Sequence, residues 1–589
     1  MSRLLPFLQQ YLPGDSGQQL DRLVLLCLGL MVIVPFQHPH HFNPIASFFA
    51  EWWAVAFGLS ACALAFLRPR VWQAFPLPSI LLLPLLLILV LLVQIALGKI
   101  QFVEQPLLMA AILLWASLMA CLGRELANRR GLAWLADGLA VALVLGALLE
   151  VLTMALQASH SGYGTHLIFP RRASLYGNLG QQNHLNHYLW LAIPSLLYLH
   201  VRAQVRLRVL VPALSLLILA SALSTSRSIL LYATAVTALA WLLSRHTPAL
   251  SPLRKTTLLL LPLSIAFILL GREITPWLAA QGLQLDMMER FYSETLGSSV
   301  RLKLWRTAWH SILSAPWLGH GMGSVPWQYF HGAQFWPPGQ AAPVAEHTHN
   351  LPLQWMLELG IPVAIVGLGL LLWWLVRAWR SPATPARWWA FSLLAVAAIH
   401  SLLEYPLWYT FFLGPFALLL GAEDKGKRVL ANGRRGLVSM MLVLTLGGTI
   451  LGILRTDYRD MERILNWHFL GEGEQDMPAA IQRLLALQAN SLLAPQATVS
   501  FALMMEVTPD HLADRRALCR SAMGFAPTER VVFKCILLDA LADDPDVEAA
   551  LRRALAAFPE ARPRLTQELQ AMVKTQPQAN RLLQYLATP

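Results

Sequence analysis

Residues 79–97 read SILLLPLLLILVLLVQIAL, a run without a single charge that closes on Gly98 and Lys99. A helix rises 1.5 Å per residue, so about twenty such residues cross the ~30 Å hydrocarbon core of a bilayer. The run predicts a transmembrane helix. Comparable runs fall near 22–36, 48–67, 106–122, 132–156, 184–199, 209–223, 228–243, 256–271, 352–376, 388–405, 407–421 and 437–454, which makes about thirteen spans. Composition agrees. The 589 residues are 56% apolar and 13% charged, against about 45–50% and about 25% in soluble domains. The expected fold is an all-α polytopic membrane protein. Collagen-like, disordered and disulfide-scaffold classes are excluded, because 35 Gly and 37 Pro show no period and five Cys cannot staple so long a chain.

The net charge of +12 belongs to the membrane part. Residues 1–455 hold 31 basic and 16 acidic residues, and residues 456–589 hold 14 and 17. Alternate loops carry the surplus: Arg3 and Arg22; Arg68 and Arg70; Arg124, Arg129 and Arg130; Arg202, Arg206 and Arg208; Arg245, Arg254 and Lys255; Arg377, Arg380 and Arg387; then Lys425, Lys427, Arg428, Arg434 and Arg435. The intervening short loops hold little beyond Lys99, Arg171, Arg172 and Arg227. By the positive-inside rule the N-terminus is cytoplasmic, with the 272–350 loop and the 456–589 tail outside. No cleavable signal peptide is expected. The charge thus reads as topology and argues against nucleic acid.

Two domains follow, 1–455 in the membrane and 456–589 outside it. The tail shows helical periodicity, as at Ala480, Ile481, Leu484 and Leu485, and Pro509, Pro527, Pro545, Pro559 and Pro563 divide it into short helices. A helix-pair solenoid of the tetratricopeptide kind and a plain bundle both fit. Cys519 and Cys535 fit either a disulfide, if the tail is extracytoplasmic, or a buried pair of thiols.

Polar groups at span ends are costly and mark candidate sites. The sixth span opens with Gln181, Gln182, Asn183, His184, Asn186 and His187. A helix cap, with Asn183 as N-cap, needs only one of them. Arg227 stands among hydroxyls in the short hairpin Ser224-Thr225-Ser226-Arg227-Ser228, where its planar fork suits a phosphate. In the long loop, Arg301, Lys303 and Arg306 recur on a predicted helix to about Ser314, with Arg301 and Trp305 on one face. The loop ends in His347-Thr348-His349-Asn350, lacking the third and fourth ligands a zinc site needs. A His at this boundary suits proton transfer. Glu404 and Tyr405 follow His400 at another span end, where Tyr also serves as an interface anchor. Charge bias alone places Gln182, Arg227, Arg301, His349 and Tyr405 on the outer face.

These clusters resemble the bacterial O-antigen ligase and polymerase superfamily, and within it the protein O-oligosaccharyltransferases of the PglL/PilO type. The resemblance runs from about Leu207 to Leu420. It rests on the Ser-Thr-Ser-Arg segment ending at Arg227, Arg-x-x-x-Trp from Arg301, the Gly-His-Gly-Met-Gly turn, and His-Thr-His-Asn-Leu followed by Glu358-Leu359-Gly360. Gly-Asn-Leu-Gly-Gln-Gln-Asn-His-Leu is similar to the family's Gly-Asn-x-x-Gln-Pro-Asn-His-Leu, with Gln182 where proline is usual. Glu-Tyr-Pro-Leu-Trp-Tyr and the helical tail fit the same branch.

The resemblance implies a GT-C-like glycosyltransferase of the bacterial inner membrane with a periplasmic active site, using neither cofactor nor metal. It implies transfer of a glycan from undecaprenyl pyrophosphate to Ser or Thr hydroxyls of an exported, pilin-like protein, with inversion. Arg227 and Arg301 would neutralise the pyrophosphate, and His349 would take the hydroxyl proton or orient the pyrophosphate. Gln181, Gln182, Asn183 and Tyr405 would hold glycan or acceptor, and His184, Arg306, His347, Asn350 and Glu404 complete the expected substrate-binding set. Which glutamine carries the family role stays open. The rivals are an O-antigen ligase or polymerase, which share the chemistry, and a lipid or polysaccharide transporter, whose polar groups belong near the bilayer midplane.

Overall fold

The computed structural model describes residues 16–159, 166–169, 175–224, 226–245, 247–280, 300–333, 345–473, 476–574 and 576–587. Arg3, Arg171, Arg172 and Thr225, and the loop stretches 281–299 and 334–344, lie outside the described residues. In chain order the helices are α1 (Ser16–Met31), α2 (Phe48–Phe66), α3 (Leu82–Ala96), α4 (Glu104–Arg130), α5 (Leu132–Ala158), α6 (Gln182–Val201), α7 (Leu207–Leu223), α8 (Ser228–Ser244), α9 (Ser251–Thr257), α10 (Leu260–Ala280), α11 (Val300–Ser314), α12 (Val325–Gly332), α13 (Leu351–Leu359), α14 (Ile361–Trp379), α15 (Pro385–Ser401), α16 (Thr410–Glu423) and α17 (Gly433–Leu470). Seven more follow: α18 (Met477–Asn490), α19 (Ala494–Met504), α20 (Leu512–Phe525), α21 (Glu529–Leu541), α22 (Val547–Ala557), α23 (Arg562–Val573) and α24 (Asn580–Ala587).

Among the described residues, eight helical stretches are long and apolar enough to cross a membrane: Gly17–Gln37, Phe48–Phe66, Ser79–Ala96, Glu104–Arg130, Leu132–Ala158, Ser251–Gly271, Ile361–Trp379 and Gly433–Leu470. The chain is therefore a multi-pass membrane protein. Helices α7, α8 and α16 are apolar but shorter. Two features depart from the sequence expectation. The span expected at 352–376 breaks at Gly360, whose φ of 94° and whose packing against the Trp317 carbonyl leave no room for a Cβ. A short ladder also interrupts the all-α pattern, β1 (Phe75–Leu77) pairing antiparallel with β2 (Arg428–Leu430). Pro76 and Pro78 hold the residues before them extended, which explains why no helix forms there.

Two compact units share the chain. The first takes Met1–Leu86, Ala111–Thr295 and Gly369–Leu451. Its core is a continuous apolar cluster around α6 and α15, which are buried along nearly their whole length. Small residues let helices close up: Gly123 meets the Leu418 carbonyl and Gly421 the Ala120 carbonyl, contacts that any Cβ would block. One end of this unit is ionic. Asp21 receives Arg68 at 2.6 Å, Arg129 at 2.7 Å and Arg130 at 2.6 Å. Nearby elements add Arg202 on Asp137 at 3.2 Å and Arg387 on Glu423 at 3.0 Å. These arginines all come from the basic loops, so the residues that define the charge bias gather where the chain folds. Following α5 from Asp137 to Glu150 and Gln157 leads to the other end of that helix, where the candidate polar cluster lies.

The second unit takes Leu87–Ala110, Leu296–Leu368 and Gly452–Pro589. Helices α11, α12 and α13 meet through Leu304, Ala308, Ile312, Val325, Tyr329 and Leu357. In the tail, α18 to α22 each pack on the next, and Val532, Ile536, Leu551, Leu565 and Leu582 form one core with Phe330 of α12. Helix α17 runs unbroken through Arg455, where the composition changes. Cys519 and Cys535 are paired in a disulfide, with their Cα atoms 5.5 Å apart.

Candidate functional site

Within the first unit, the turn before α6 is built on buried polar groups. The Asn178 amide donates to the Gln37 and Leu167 carbonyls, each at 2.9 Å, and its oxygen accepts from the Phe169 N–H at 2.9 Å. Glu150 accepts from the Asn178 N–H at 2.9 Å, and Gln157 accepts from the Gly177 N–H at 3.0 Å while donating to the Gly177 carbonyl at 2.9 Å. Asn178 is thus a structural clasp. Sequence reading passed over Glu150 and Gln157, although a carboxylate inside an apolar run is itself the signal that marks such a residue.

The N-cap of α6 is Gln181, whose side-chain oxygen accepts from the His184 N–H at 3.0 Å. The expected cap, Asn183, is instead turned to tertiary partners. A helix cap uses only a local backbone N–H, and Gln181 reaches it first. Asn183 donates to Glu404 at 2.8 Å and accepts from Ser226 at 2.8 Å. Ser226 bonds Ser228 at 2.9 Å, which accepts from Asn186 at 2.9 Å. Arg227 sits between those two serines, at the N-cap of α8. The fold therefore unites three stretches read separately in the sequence: the start of α6, the Arg227 hairpin and Glu404.

An aromatic and imidazole wall continues inward. The His184 ring lies 4.8 Å from Tyr409, 5.7 Å from His400 and 6.3 Å from Tyr405 between centroids. His187 stacks on Phe412 at 4.2 Å and neighbours His400 at 4.7 Å. Tyr409, His400, His187, Ser226 and Ser228 join this site although the expected set omitted them.

In the second unit, Arg301 and Trp305 lie one turn apart on α11, and the Trp305 indole donates to the Thr348 carbonyl at 3.0 Å. The Thr348 N–H donates to the side-chain oxygen of the buried Gln354 at 2.8 Å, and its hydroxyl donates to the Asn350 carbonyl at 2.8 Å. The next residue, His349, has φ of 54°, a left-handed conformation that few residues other than glycine adopt, His among the more frequent of them. Asn350 caps α13, its side chain accepting from the Leu353 N–H at 3.2 Å. His349 is thus presented by a left-handed turn pinned on both sides. His347 precedes the same turn. Arg306 is exposed, pointing away from the face that carries Trp305.

The glycine-rich turn braces this arrangement. Gly319, at φ 63°, lies against the Glu358 carbonyl too closely for a side chain. His320 and Gly321 donate backbone bonds to the Leu357 and Glu358 carbonyls at 2.9 and 3.1 Å. The Glu358 carboxylate accepts from the Gly323 N–H at 2.9 Å. It lies just before the Ile361–Trp379 span, and burial pushes its pKa up to about 7. Among the described residues no group of three or more His, Cys, Asp or Glu side chains converges as a metal set.

Residues 212–368 match the O-antigen ligase family, and residues 388–572 match the C-terminal part of the virulence factor membrane-bound polymerase family. A general O-oligosaccharyltransferase of Acinetobacter baylyi is 25% identical over 435 residues, covering 69% of this chain and 71% of the relative. A ComP-specific O-oligosaccharyltransferase of the same organism is 29% identical over 130 residues, covering 22% of this chain and 23% of the relative.

Proposed function

We propose that this chain, a glycosyltransferase of the PglL/PilO type within the O-antigen ligase superfamily, passes a preassembled glycan from undecaprenyl pyrophosphate to Ser or Thr hydroxyls of exported, pilin-like proteins. One observation carries the reading. The helix that bears Arg301 also holds, through Trp305, the left-handed turn that presents His349, so a cation and a base share one rigid support. In the proposed reaction the acceptor oxygen attacks the anomeric carbon and the bond from that carbon to the pyrophosphate oxygen breaks. The departing pyrophosphate keeps the bonding pair, His349 takes the hydroxyl proton, and direct displacement inverts the centre. Arg227 and Arg301 supply counter-charge to the leaving group. Asn183, Glu404, His184 and Tyr405 bind sugar or acceptor, with Gln182 preferred over Gln181 because the latter's oxygen is committed to the helix cap.

Topology supports a periplasmic site. Counting α6, α7, α8, α15 and α16 as crossings beside the eight long helices gives thirteen spans, with the basic loops inside. The Cys519–Cys535 disulfide suits a tail in an oxidising compartment, and successive packing of its helices suits a tetratricopeptide-like solenoid that reads the acceptor. The match over 212–368 also favours a second reading, transfer to lipid A-core as an O-antigen ligase. Incubating the purified chain with lipid-linked oligosaccharide and both acceptor classes, read by mass spectrometry, separates the two. His349→Ala, Arg301→Ala and Arg227→Ala should insert normally and lose transfer, and retained transfer by His349→Ala would sink the mechanism.

A further inference from the structure

Helix α11 buries Leu304, Ala308 and Ile312 against α12 and α13. Its opposite face carries an apolar stripe beside the exposed Arg306 and His310. Leu302, Trp309 and Leu313 stand seven and then four residues apart, which is one stripe on a helix, and Trp309 and Leu313 are 47% and 55% exposed. The stripe continues past the helix end into Trp317, 75% exposed, and Leu318. Exposed Arg306 lies on the same face, four residues after Leu302 and three before Trp309. A loop bathed in water has no use for two tryptophans and three leucines along one surface.

The surroundings of the stripe identify what covers it. Trp317 lies in a turn tied to the ends of two membrane spans. The Ile361 N–H, first residue of the Ile361–Trp379 span, donates to the Pro316 carbonyl at 2.8 Å. Gln94, near the end of the Ser79–Ala96 span, donates to the Leu318 carbonyl at 3.1 Å and accepts from the Met322 N–H at 3.2 Å. Lys99, just beyond that span, donates to the Gly319 carbonyl at 3.0 Å. The turn is therefore held at the depth where both spans leave the hydrocarbon.

We infer that the outer face of α11, with Trp317 and Leu318, lies in the headgroup layer of the bilayer as an in-plane anchor. Apolar side chains with tryptophan at headgroup level and a cation reaching lipid phosphate are the chemistry of an interfacial helix. The inference stands without the proposed reaction; if that reaction holds, the anchor also sets Arg301 near the depth of a lipid-linked phosphate.

The test uses the full-length chain with Cys27, Cys62 and Cys121 replaced by Ala and the Cys519–Cys535 disulfide kept. Trp309→Cys, Leu313→Cys and Trp317→Cys carry single spin labels, with Gln570→Cys, on an exposed tail position, as the aqueous reference. In vesicles of phosphatidylethanolamine and phosphatidylglycerol, the three labels should favour oxygen over a water-soluble nickel relaxant several-fold relative to position 570. Labels as water-accessible as position 570, or shielded from both reagents as in a protein contact, overturn the inference. The unmodified chain gives a second measurement: a lipid-phase photoreactive probe should modify the 302–318 segment and spare the 562–573 helix, and an unmodified 302–318 segment would equally refute the anchor.

Discussion

Replacing Gln354 with Leu removes the contact that holds the Thr348–His349 turn in place. Gln354 is 2% exposed, and its oxygen accepts from the Thr348 N–H at 2.8 Å, one residue before the left-handed His349. A left-handed non-glycine residue costs about 1–2 kcal/mol, and a buried N–H stripped of its acceptor costs about 1–3 kcal/mol. Leu fills the same volume but accepts nothing, so the turn should relax and restore a partner to Thr348 by moving His349. If about 2 kcal/mol of placement is lost at the transition state, kcat falls roughly thirtyfold, since 1.36 kcal/mol is tenfold. KM for the lipid-linked donor should change little, because Gln354 is buried beneath the turn. The assay is initial-rate transfer in vesicles, beside a thermal melt. A Gln354→Leu enzyme with a lowered melting temperature and full kcat would refute the reasoning, since the bond would then serve stability alone. Trp305→Phe, which keeps the ring and deletes the 3.0 Å bond to the Thr348 carbonyl, should act in the same direction with about a fivefold loss, from ~1 kcal/mol for one hydrogen bond.

Two further outcomes follow from the second unit. Burial raises Glu358 from 4.5 to about 7, so between those values the native state keeps a proton that the unfolded chain has released, and stability falls as pH rises through that window. The shift corresponds to about 3 kcal/mol; Glu358→Gln, still able to accept from Gly323, should flatten the fall in melting temperature between pH 5 and pH 8, and an unchanged slope would assign the dependence to another group. The disulfide closes a loop of sequence separation 16, so Cys519→Ser with Cys535→Ser should destabilise the tail by about 3 kcal/mol, read by limited proteolysis of α20 and α21. Equal protease resistance in both forms would mean that packing alone holds those helices.

Much of both candidate clusters was legible as residue types in improbable places. Asn183, Arg227, Glu404 and His349 all stand at ends of apolar runs, where a polar side chain is expensive, and that cost is visible in the chain itself. Their partners were not legible. Asn183 reads as a helix cap by local rules, and only the approach of Glu404, 221 positions away, turns it into a tertiary ligand. Glu150 was missed because it lies within a run that stays strongly apolar despite its two carboxylates, Asp137 and Glu150. Gln354 is an ordinary helix residue in sequence, and its role exists only because Thr348 folds over it.

The sequence by itself determined that this chain lives in a bilayer and which apolar runs fold as helices, with the break at Gly360 the chief exception. A bilayer acts as a solvent on each segment separately, so runs of apolar residues and a bias of Arg and Lys among loops carry that information without reference to the rest of the chain. Tertiary structure alone decided which arginines share Asp21, which stretches meet around Asn183, and that His349 is held left-handed between Trp305 and Gln354. Those outcomes depend on contacts between residues far apart in the chain, whose energies arise only when the helices have packed.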